Sequence, residues 1–265
     1  MGRIGRSFVL MERSYRILVQ DKELMVLPLI SGAITVSVLA GVVYGFGIDA
    51  FDRPRTTAYV PLFLTYVVTY AIAIFFQAAV VAGATDRLRG GDPTVRSALA
   101  AASRRAGPIV LWAVVAATVG MVLRVIEGRF GFVGRIVARI AGASWALATF
   151  FVVPVLVLED RSVGDSFTRS VSVFKRTWGE TVVGGTSLGA AAVCAWVTLV
   201  AIVALLAYVI GVAAVAVLLL GAAFLAIFFS ALQGIYIASL YRYATDGNPG
   251  GFDDGILKAA FGPKR

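Results

Sequence analysis

The sequence has no histidine and a single cysteine, Cys194. Histidine is the usual general base near neutral pH, and histidine and cysteine are the usual zinc ligands, so most metal sites and most nucleophilic catalysis lack their residues here. One cysteine also excludes a disulfide within the chain. Charged residues are few, at 15% of the 265 residues. We therefore expect a protein that is not an enzyme, with no catalytic residue, no metal site and no cofactor.

Hydrophobic residues, by contrast, make up 59% of the chain, and the mean hydropathy is +0.88. Five runs carry no charged residue: 24–48, 56–85, 106–123, 140–158 and 181–241. A membrane-spanning helix needs about 20 residues, so the first four runs predict one span each. The fifth run is long enough for two helices, with a natural break near 208–211. The sequence thus predicts an all-α bundle of six transmembrane helices in a single membrane domain, 1–265.

The positive charges indicate how this bundle is oriented. Of the 24 Lys and Arg residues, 18 fall before the first span, in the segments 86–105 and 159–180, and after residue 241. The remaining six fall in the alternate loops. Because cytoplasmic loops are enriched in Lys and Arg, we expect a multi-pass protein of the cell membrane with both termini in the cytoplasm, including the tail 242–265.

The net charge of +9 raises the question of a nucleic-acid partner. Clustered basic residues do mark phosphate binders, but none of the polar segments contains a nucleic-acid-binding motif. Basic cytoplasmic loops meet anionic lipid head groups instead. We expect membrane lipids, anionic ones among them, as partners and no nucleic acid, and the sequence leaves a homo-oligomer open.

A repeated pattern precedes the spans. The motif GDxxxRS occurs at 91–97 and 164–170, and a third Arg-Ser pair stands at Arg13-Ser14. The next span begins 10 or 11 residues after each serine. We interpret Asp92 and Asp165 as helix N-caps, with Pro93 at the first helical position. The pattern predicts three units, each a short amphipathic helix followed by a transmembrane hairpin, near 3–83, 92–158 and 165–240.

The short helices carry an apolar stripe beside a basic flank, which is typical of a helix lying in the membrane interface. Packing of the stripe on the protein's own bundle is the other interpretation. A fourth such helix is predicted at 252–261. Under the interfacial interpretation, the candidate contacts to lipid head groups are Arg13, Arg16, Arg96, Arg104, Arg105, Arg169, Lys175 and Arg176.

Two stretches also resemble a known family. They are the segment 153–160, containing PxxxLED before the Arg-Ser helix 166–178, and the segment 20–24 leading into 27–29. Together they resemble an uncharacterised family of archaeal and bacterial six-span membrane proteins. The PxxxLED stretch is also similar to the membrane domain attached to some glycerophosphodiester phosphodiesterases. The resemblance implies the six-span architecture and carries no catalytic chemistry to this chain.

Polar residues inside the spans are scarce, and intramembrane polar groups are the usual pointers to function. Gln77 and Gln233 are predicted inside the second and sixth spans, where an amide ordinarily forms a helix–helix hydrogen bond. Arg124 and Glu127 share one helix face and are expected to pair. Beyond them, the segment 132–140 predicts a short amphipathic helix on the outer surface, with Arg135 and Arg139.

Two further features of the fourth span have structural expectations. Pro154 should kink the helix by freeing a carbonyl one turn earlier. Glu159 and Asp160 are adjacent and do not share a helix face, so we expect capping and ion pairs rather than an acid–base pair.

Together these features favour a non-enzymatic membrane protein that interacts with lipids or organises the envelope. The alternative is a transporter or channel with a polar path between the hairpins, for which Gln77, Gln233, Arg124 and Glu127 are the residues to examine.

Overall fold

The computed structural model describes residues 3–47 and 59–246, and the ordered elements in these ranges are all helices. The predicted helix at 252–261 lies outside the described residues, as do Arg53 and Arg55 of one outer loop. The helices are α1 (Arg3–Gln20), α2 (Glu23–Phe46), α3 (Tyr59–Leu88), α4 (Val95–Ser103), α5 (Ala106–Arg129), α6 (Gly131–Thr149), α7 (Val152–Leu158), α8 (Val163–Ile210) and α9 (Ala213–Asp246).

Within these ranges, six helical segments are long and apolar enough to cross a membrane. They are Glu23–Phe46, Phe63–Leu88, Ala106–Arg129, Gly131–Leu158, Val163–Ile210 and Ala213–Thr245. The all-α architecture with these spans is therefore confirmed. The predicted break in the long apolar run is confirmed too, because α8 ends at Ile210 and Gly211, with φ +55°, begins the turn into α9.

The spans pair as hairpins in chain order: α2 with α3, α5 with α6, and α8 with α9. A short helix precedes each pair. The third of these is fused to its span, because α8 runs through Thr177, whose φ of −118° and ψ of 18° mark a kink between the two parts.

The short helices pack in a cyclic order. The helix α4 lies against α2 and α3, the first part of α8 lies against α6 and α7, and α1 lies against α8 and α9. Each short helix thus contacts the hairpin that precedes it, with α1 on the last hairpin. This order is what repeated units would produce. The unit boundaries near 3–83, 92–158 and 165–240 stay a prediction.

The buried core lies at the end of the bundle that carries the short helices. It takes the start of α2, the end of α3, the start of α5, all of α7 and the end of α9. Its most buried side chains include Leu18, Leu24, Leu27, Val80, Val81, Ile109, Phe151, Val152, Leu156, Ile235, Tyr236 and Leu240. One face of α1 joins this core through Leu10, Ser14 and Leu18, and one face of α4 joins it through Ala98 and Ala102.

Glycines let the helices approach closely in this core. At Gly184 on α8, the hydroxyl of Tyr236 occupies the place that a Cβ would take. That hydroxyl donates a hydrogen bond to the carbonyl oxygen of Glu180 at 2.8 Å. At Gly234 on α9, a Cβ would lie 2.6 Å from Cγ1 of Val80 on α3. Small residues at such crossings are how helices gain van der Waals contact in lipid, where the hydrophobic effect drives no association.

The predicted kink at Pro154 is confirmed as a break between α6 and α7 at Phe150 and Phe151. Ser170 of α8, which is fully buried, satisfies the backbone there. Its hydroxyl donates to the carbonyl of Ala148 at 2.7 Å and accepts from the Phe151 amide at 3.1 Å. Within a bilayer such a break is tolerated only when a neighbour supplies these bonds.

The predicted N-caps are wrong by a few residues. Thr94, not Asp92, caps α4, and it forms a capping box with Ser97. Ser162, not Asp165, caps α8, since its hydroxyl accepts from the Asp165 amide at 3.2 Å. Hydroxyl side chains stood within three residues of each aspartate and compete equally well for the cap.

The predicted outer surface helix at 132–140 is also wrong as a separate element. This segment is the first half of α6, and α5 continues to Arg129 directly before it. Gly131, with φ +54°, makes the tight turn. At Gly134 the backbone of α6 packs against the carbonyl of Ile126 with no room for a Cβ, so the segment lies along α5.

We predict that Ser170→Ala lowers the free energy of unfolding of the detergent-solubilised protein by about 1–3 kcal/mol. The substitution leaves the buried amide of Phe151 and the carbonyl of Ala148 without their partner. Ser239→Ala is the matched control. Its hydroxyl is equally buried but bonds only the carbonyl of Ile235, one turn earlier in its own helix. Thermal unfolding checks both variants, and equal losses would contradict the role of Ser170.

Candidate functional site

A groove lies between α2, α3 and α9 and has a volume of about 900 Å³. Residues of these three helices line its walls, and most of them are small or apolar. The lining residues are Pro28, Leu29, Ser31, Gly32, Ala33 and Val36 of α2, Ala73, Phe76, Gln77 and Val80 of α3, and Ala223, Ala226, Ile227, Ser230 and Gln233 of α9. We call this cavity the lateral groove.

The lateral groove brings together the two glutamines that the sequence singled out. Gln77 comes from α3 and is partly buried, and Gln233 comes from α9 and is exposed. The expected helix–helix hydrogen bond is absent from the described part of the chain, where neither amide has a hydrogen-bond partner. An amide that faces hydrocarbon without a partner is costly, so these two groups are the unusual feature of the groove.

Two hydroxyls on the groove behave in the same way. Serines in helices commonly bond the carbonyl four residues earlier, as Ser37, Ser187 and Ser239 do at 2.8–2.9 Å. Ser31 and Ser230 make no such bond among the described residues. Sequence reasoning missed both. The signal that would have found Ser230 is its position three residues before Gln233, on the same helix face.

The groove is open because its walls are made of small residues. Gly32, Ala33, Ala73, Ala223 and Ala226 leave space where larger side chains would fill the seam between α2 and α9. An added Cβ at Gly32 meets no atom within 4 Å. The exposed members of the wall place the opening on the side of the bundle, where a spanning helix meets lipid.

The other predicted intramembrane pair lies elsewhere. Arg124 and Glu127 are both exposed near the end of α5, and neither lines the groove. Among the described residues, no ion pair joins them. The structure therefore brings together Gln77 and Gln233 but not all four residues that a continuous polar path would use.

The predicted head-group contacts fall into three groups by exposure and partner. Arg105 and Arg169 are mostly buried and serve the fold, with side chains 18% and 28% exposed. Arg13 is partly buried, and Arg16 pairs with Glu12 at 2.7 Å on the surface of α1. The remaining four, Arg96, Arg104, Lys175 and Arg176, are exposed.

Arg105 fastens the start of α5 to the end of α7. Its Nε donates to the carbonyl of Leu156 at 2.8 Å, and its Nη2 donates to the carbonyl of Arg161 at 2.7 Å. Its Nη1 pairs with Asp160, which has a φ of +48°. A guanidinium at a helix C-terminus satisfies the last carbonyls and favours the helix dipole.

Glu159 is the centre of a second cluster. It accepts from the Tyr241 hydroxyl and lies 3.0 Å from Arg169 and 2.5 Å from Arg161. Burial raises its pKa, but the hydrogen bonds from Tyr241, Arg169 and Arg161 outweigh burial and hold the pKa below its usual value. Glu159 and Asp160 thus turn to different partners, in agreement with the expectation that they form no acid–base pair.

Two acidic residues make similar ties at the joint between α1 and α2. Asp21 Oδ2 lies 2.8 Å from Nε of Arg87 at the end of α3. Burial raises the pKa of Asp21, against the opposing effect of Arg87. The Glu23 carboxylate accepts from the amide of Val95 at 3.2 Å and so caps α4. Neither contact was predicted from the sequence, where this segment stood out only by its resemblance to a known family.

These features define a multi-pass α-helical membrane protein whose cavity opens between its spans, with uncharged polar groups inside. Across 56–252 the chain matches the Family of unknown function (DUF6159), and it belongs to that family. Neither a curated protein nor a solved structure matches it. Membership agrees with the expected uncharacterised family, and the comparisons give no support for the likeness to the membrane domain of glycerophosphodiester phosphodiesterases.

We predict that Glu159→Gln lowers the free energy of unfolding by on the order of 2 kcal/mol near pH 7. The substitution removes the negative charge that pairs with Arg161 and Arg169 and accepts the hydrogen bond of Tyr241. A carboxylate with a lowered pKa stabilises the fold above its usual pKa, and this contribution is lost as the pH falls through the lowered value. The gap between wild type and variant should therefore narrow in acid.

Glu12→Gln is the matched control for this change. Its partner is Arg16, and both side chains are at least 60% exposed. An exposed pair contributes little, so this variant should unfold within about 0.5 kcal/mol of the wild type. Thermal unfolding from pH 7 to about pH 2 measures both, because the loss occurs below the usual pKa of the carboxyl, and a gap independent of pH over this range would contradict the assignment of Glu159.

Proposed function

We propose that the protein is a non-enzymatic protein of the cell membrane that binds a membrane lipid in the lateral groove. The observation that carries the proposal is the pair of unpartnered amides, Gln77 and Gln233, in a side-opening cavity of about 900 Å³. Cavities of this size are typical of pockets that hold small ligands by apolar contact and a few placed polar groups. In a bilayer, the molecules that reach such an opening are lipids.

The alternative of a transporter or channel has less support. A path through the bundle would have to pass the core next to the groove, to which α3 contributes Ala78, Ala79 and Val81 and α9 contributes Ile235 and Tyr236. Those side chains are 0–1% exposed and mostly apolar. A lipid needs only the side opening, so the groove favours a lipid.

The exposed basic residues support a second contact with the membrane. Arg96 and Arg104 of α4, and Lys175 and Arg176 of α8, all lie at the end of the bundle that carries the short helices. We propose that this end is cytoplasmic and that these residues meet anionic head groups, each worth about 1 kcal/mol near such a surface. The localisation and the orientation of the termini belong to this proposal.

Single cysteines test the orientation in a Cys194→Ala background. Ser103→Cys lies at the exposed C-terminal residue of α4, and Val212→Cys lies in the turn between α8 and α9, where Val212 is 88% exposed. A membrane-impermeant maleimide should label Val212→Cys in intact cells and Ser103→Cys only after permeabilisation. The reverse pattern would overturn the orientation.

Filling the groove tests the lipid site. Gly32→Leu places a side chain into the cavity without meeting backbone, so the amount of bound lipid should fall several-fold. Gly41→Leu is the matched control, because it lies on the same helix, also has open space around its Cβ, and does not line the groove. Native mass spectrometry of the full chain, delipidated and then given a total lipid extract, measures lipid per protein. Equal lipid binding by both variants would sink the proposal.

A further inference from the structure

We infer that the lateral groove selects an uncharged lipid whose head carries a carbonyl or hydroxyl oxygen. This inference rests on the proposed function and adds the class of ligand. Its basis is the chemistry of the polar groups on the wall, which are two amides and two hydroxyls, on Gln77, Gln233, Ser31 and Ser230.

The wall has no countercharge for a phosphate. None of its residues is Lys, Arg, Asp or Glu. Phosphate recognition in proteins uses Arg, Lys or helix N-termini, and an ionised group without them is very costly away from water. A head without charge has no such cost, and its oxygens are met by amide N–H and serine O–H donors.

The polar groups also lie deep in the membrane. Gln77 is 8 residues from the end of its uncharged run at 85, and Gln233 is 8 residues from the end of its run at 241, which is about 12 Å along a helix in each case. The hydrocarbon core is about 30 Å thick, so both amides lie well inside it. Phospholipid head groups stay at the interface, whereas the oxygens of a neutral lipid reach this depth at a much lower cost.

The order of residues along the groove fits an amphiphile. On α9 the polar pair Ser230 and Gln233 follows the apolar Ala223 and Ala226, toward the buried core. On α3, Gln77 likewise follows Ala73. The wall therefore offers polar contacts toward the core end and a smooth apolar surface for a chain beyond them.

Binding to the purified, delipidated full chain tests this inference with three probes. Diacylglycerol and a ubiquinone carry neutral heads with hydroxyl or carbonyl oxygens, and phosphatidylglycerol with the same acyl chains as the diacylglycerol carries a charge. We expect one neutral probe or both to bind one per chain and phosphatidylglycerol to bind at least tenfold more weakly. Binding of the ubiquinone shows that carbonyl oxygens suffice, whereas binding of diacylglycerol alone indicates that the hydroxyl is needed.

The amides are tested by substitution. The double variant Gln77→Leu with Gln233→Leu should lower the affinity for the neutral probe by about tenfold, since two intramembrane hydrogen bonds are lost. Ser230→Ala is a milder variant that should weaken it about threefold. Gln20→Leu is the matched control, because Gln20 is exposed at the end of α1 and does not line the groove.

The outcomes separate this inference from the proposed function. Lipid binding that Gly32→Leu blocks but the glutamine variants leave unchanged overturns the selection of neutral lipids and keeps the groove as a lipid site. Preference for phosphatidylglycerol does the same. If Gly32→Leu changes the binding of none of the three probes, both the preference for neutral lipids and the lipid site in the groove are overturned.

Discussion

The scarcity of water inside a bilayer is the constraint on which this structure depends, because every polar group there must find its partner within the protein. The break between α6 and α7 shows how the chain meets it. Pro154 interrupts the helix, and a single buried hydroxyl from α8 satisfies both sides of the interruption. Against that background, polar groups in the spans that lack a partner are exceptional. The lateral groove is where two amides and two hydroxyls of this kind gather.

The sequence predicted the spans well because charge and hydropathy are local properties. The breaks at Pro154 and Gly211 were predictable for the same reason, since each follows from the backbone preferences of one residue. The predicted N-caps were wrong, because Thr94 and Ser162 cap the helices in place of the nearby aspartates. Which of two neighbouring polar side chains forms the cap depends on the backbone conformation before the helix. Local sequence patterns thus predict where the helices lie but not which side chain caps them.

The candidate site was only half predictable. Gln77 and Gln233 stand out in the sequence as polar residues in apolar runs, but they are 156 positions apart, and nothing local indicates that α3 and α9 are neighbours. Ser31 and Gly32 carry no signal at all, since serine and glycine are common in spans. The basic residues divide in a similar way. Arg105 differs from its neighbour Arg104 only through partners more than fifty residues away.

The position of α1 has a consequence for how the chain is assembled. This helix precedes all six spans in the chain, but the surface against which it packs belongs to α8 and α9, which follow the other spans. Chains are synthesised from the N-terminus, so α1 can complete its packing only after α9 has been made. Its packing brings together the first and the last helices of the described chain. The ring of hairpins is therefore complete only once translation has passed the last span.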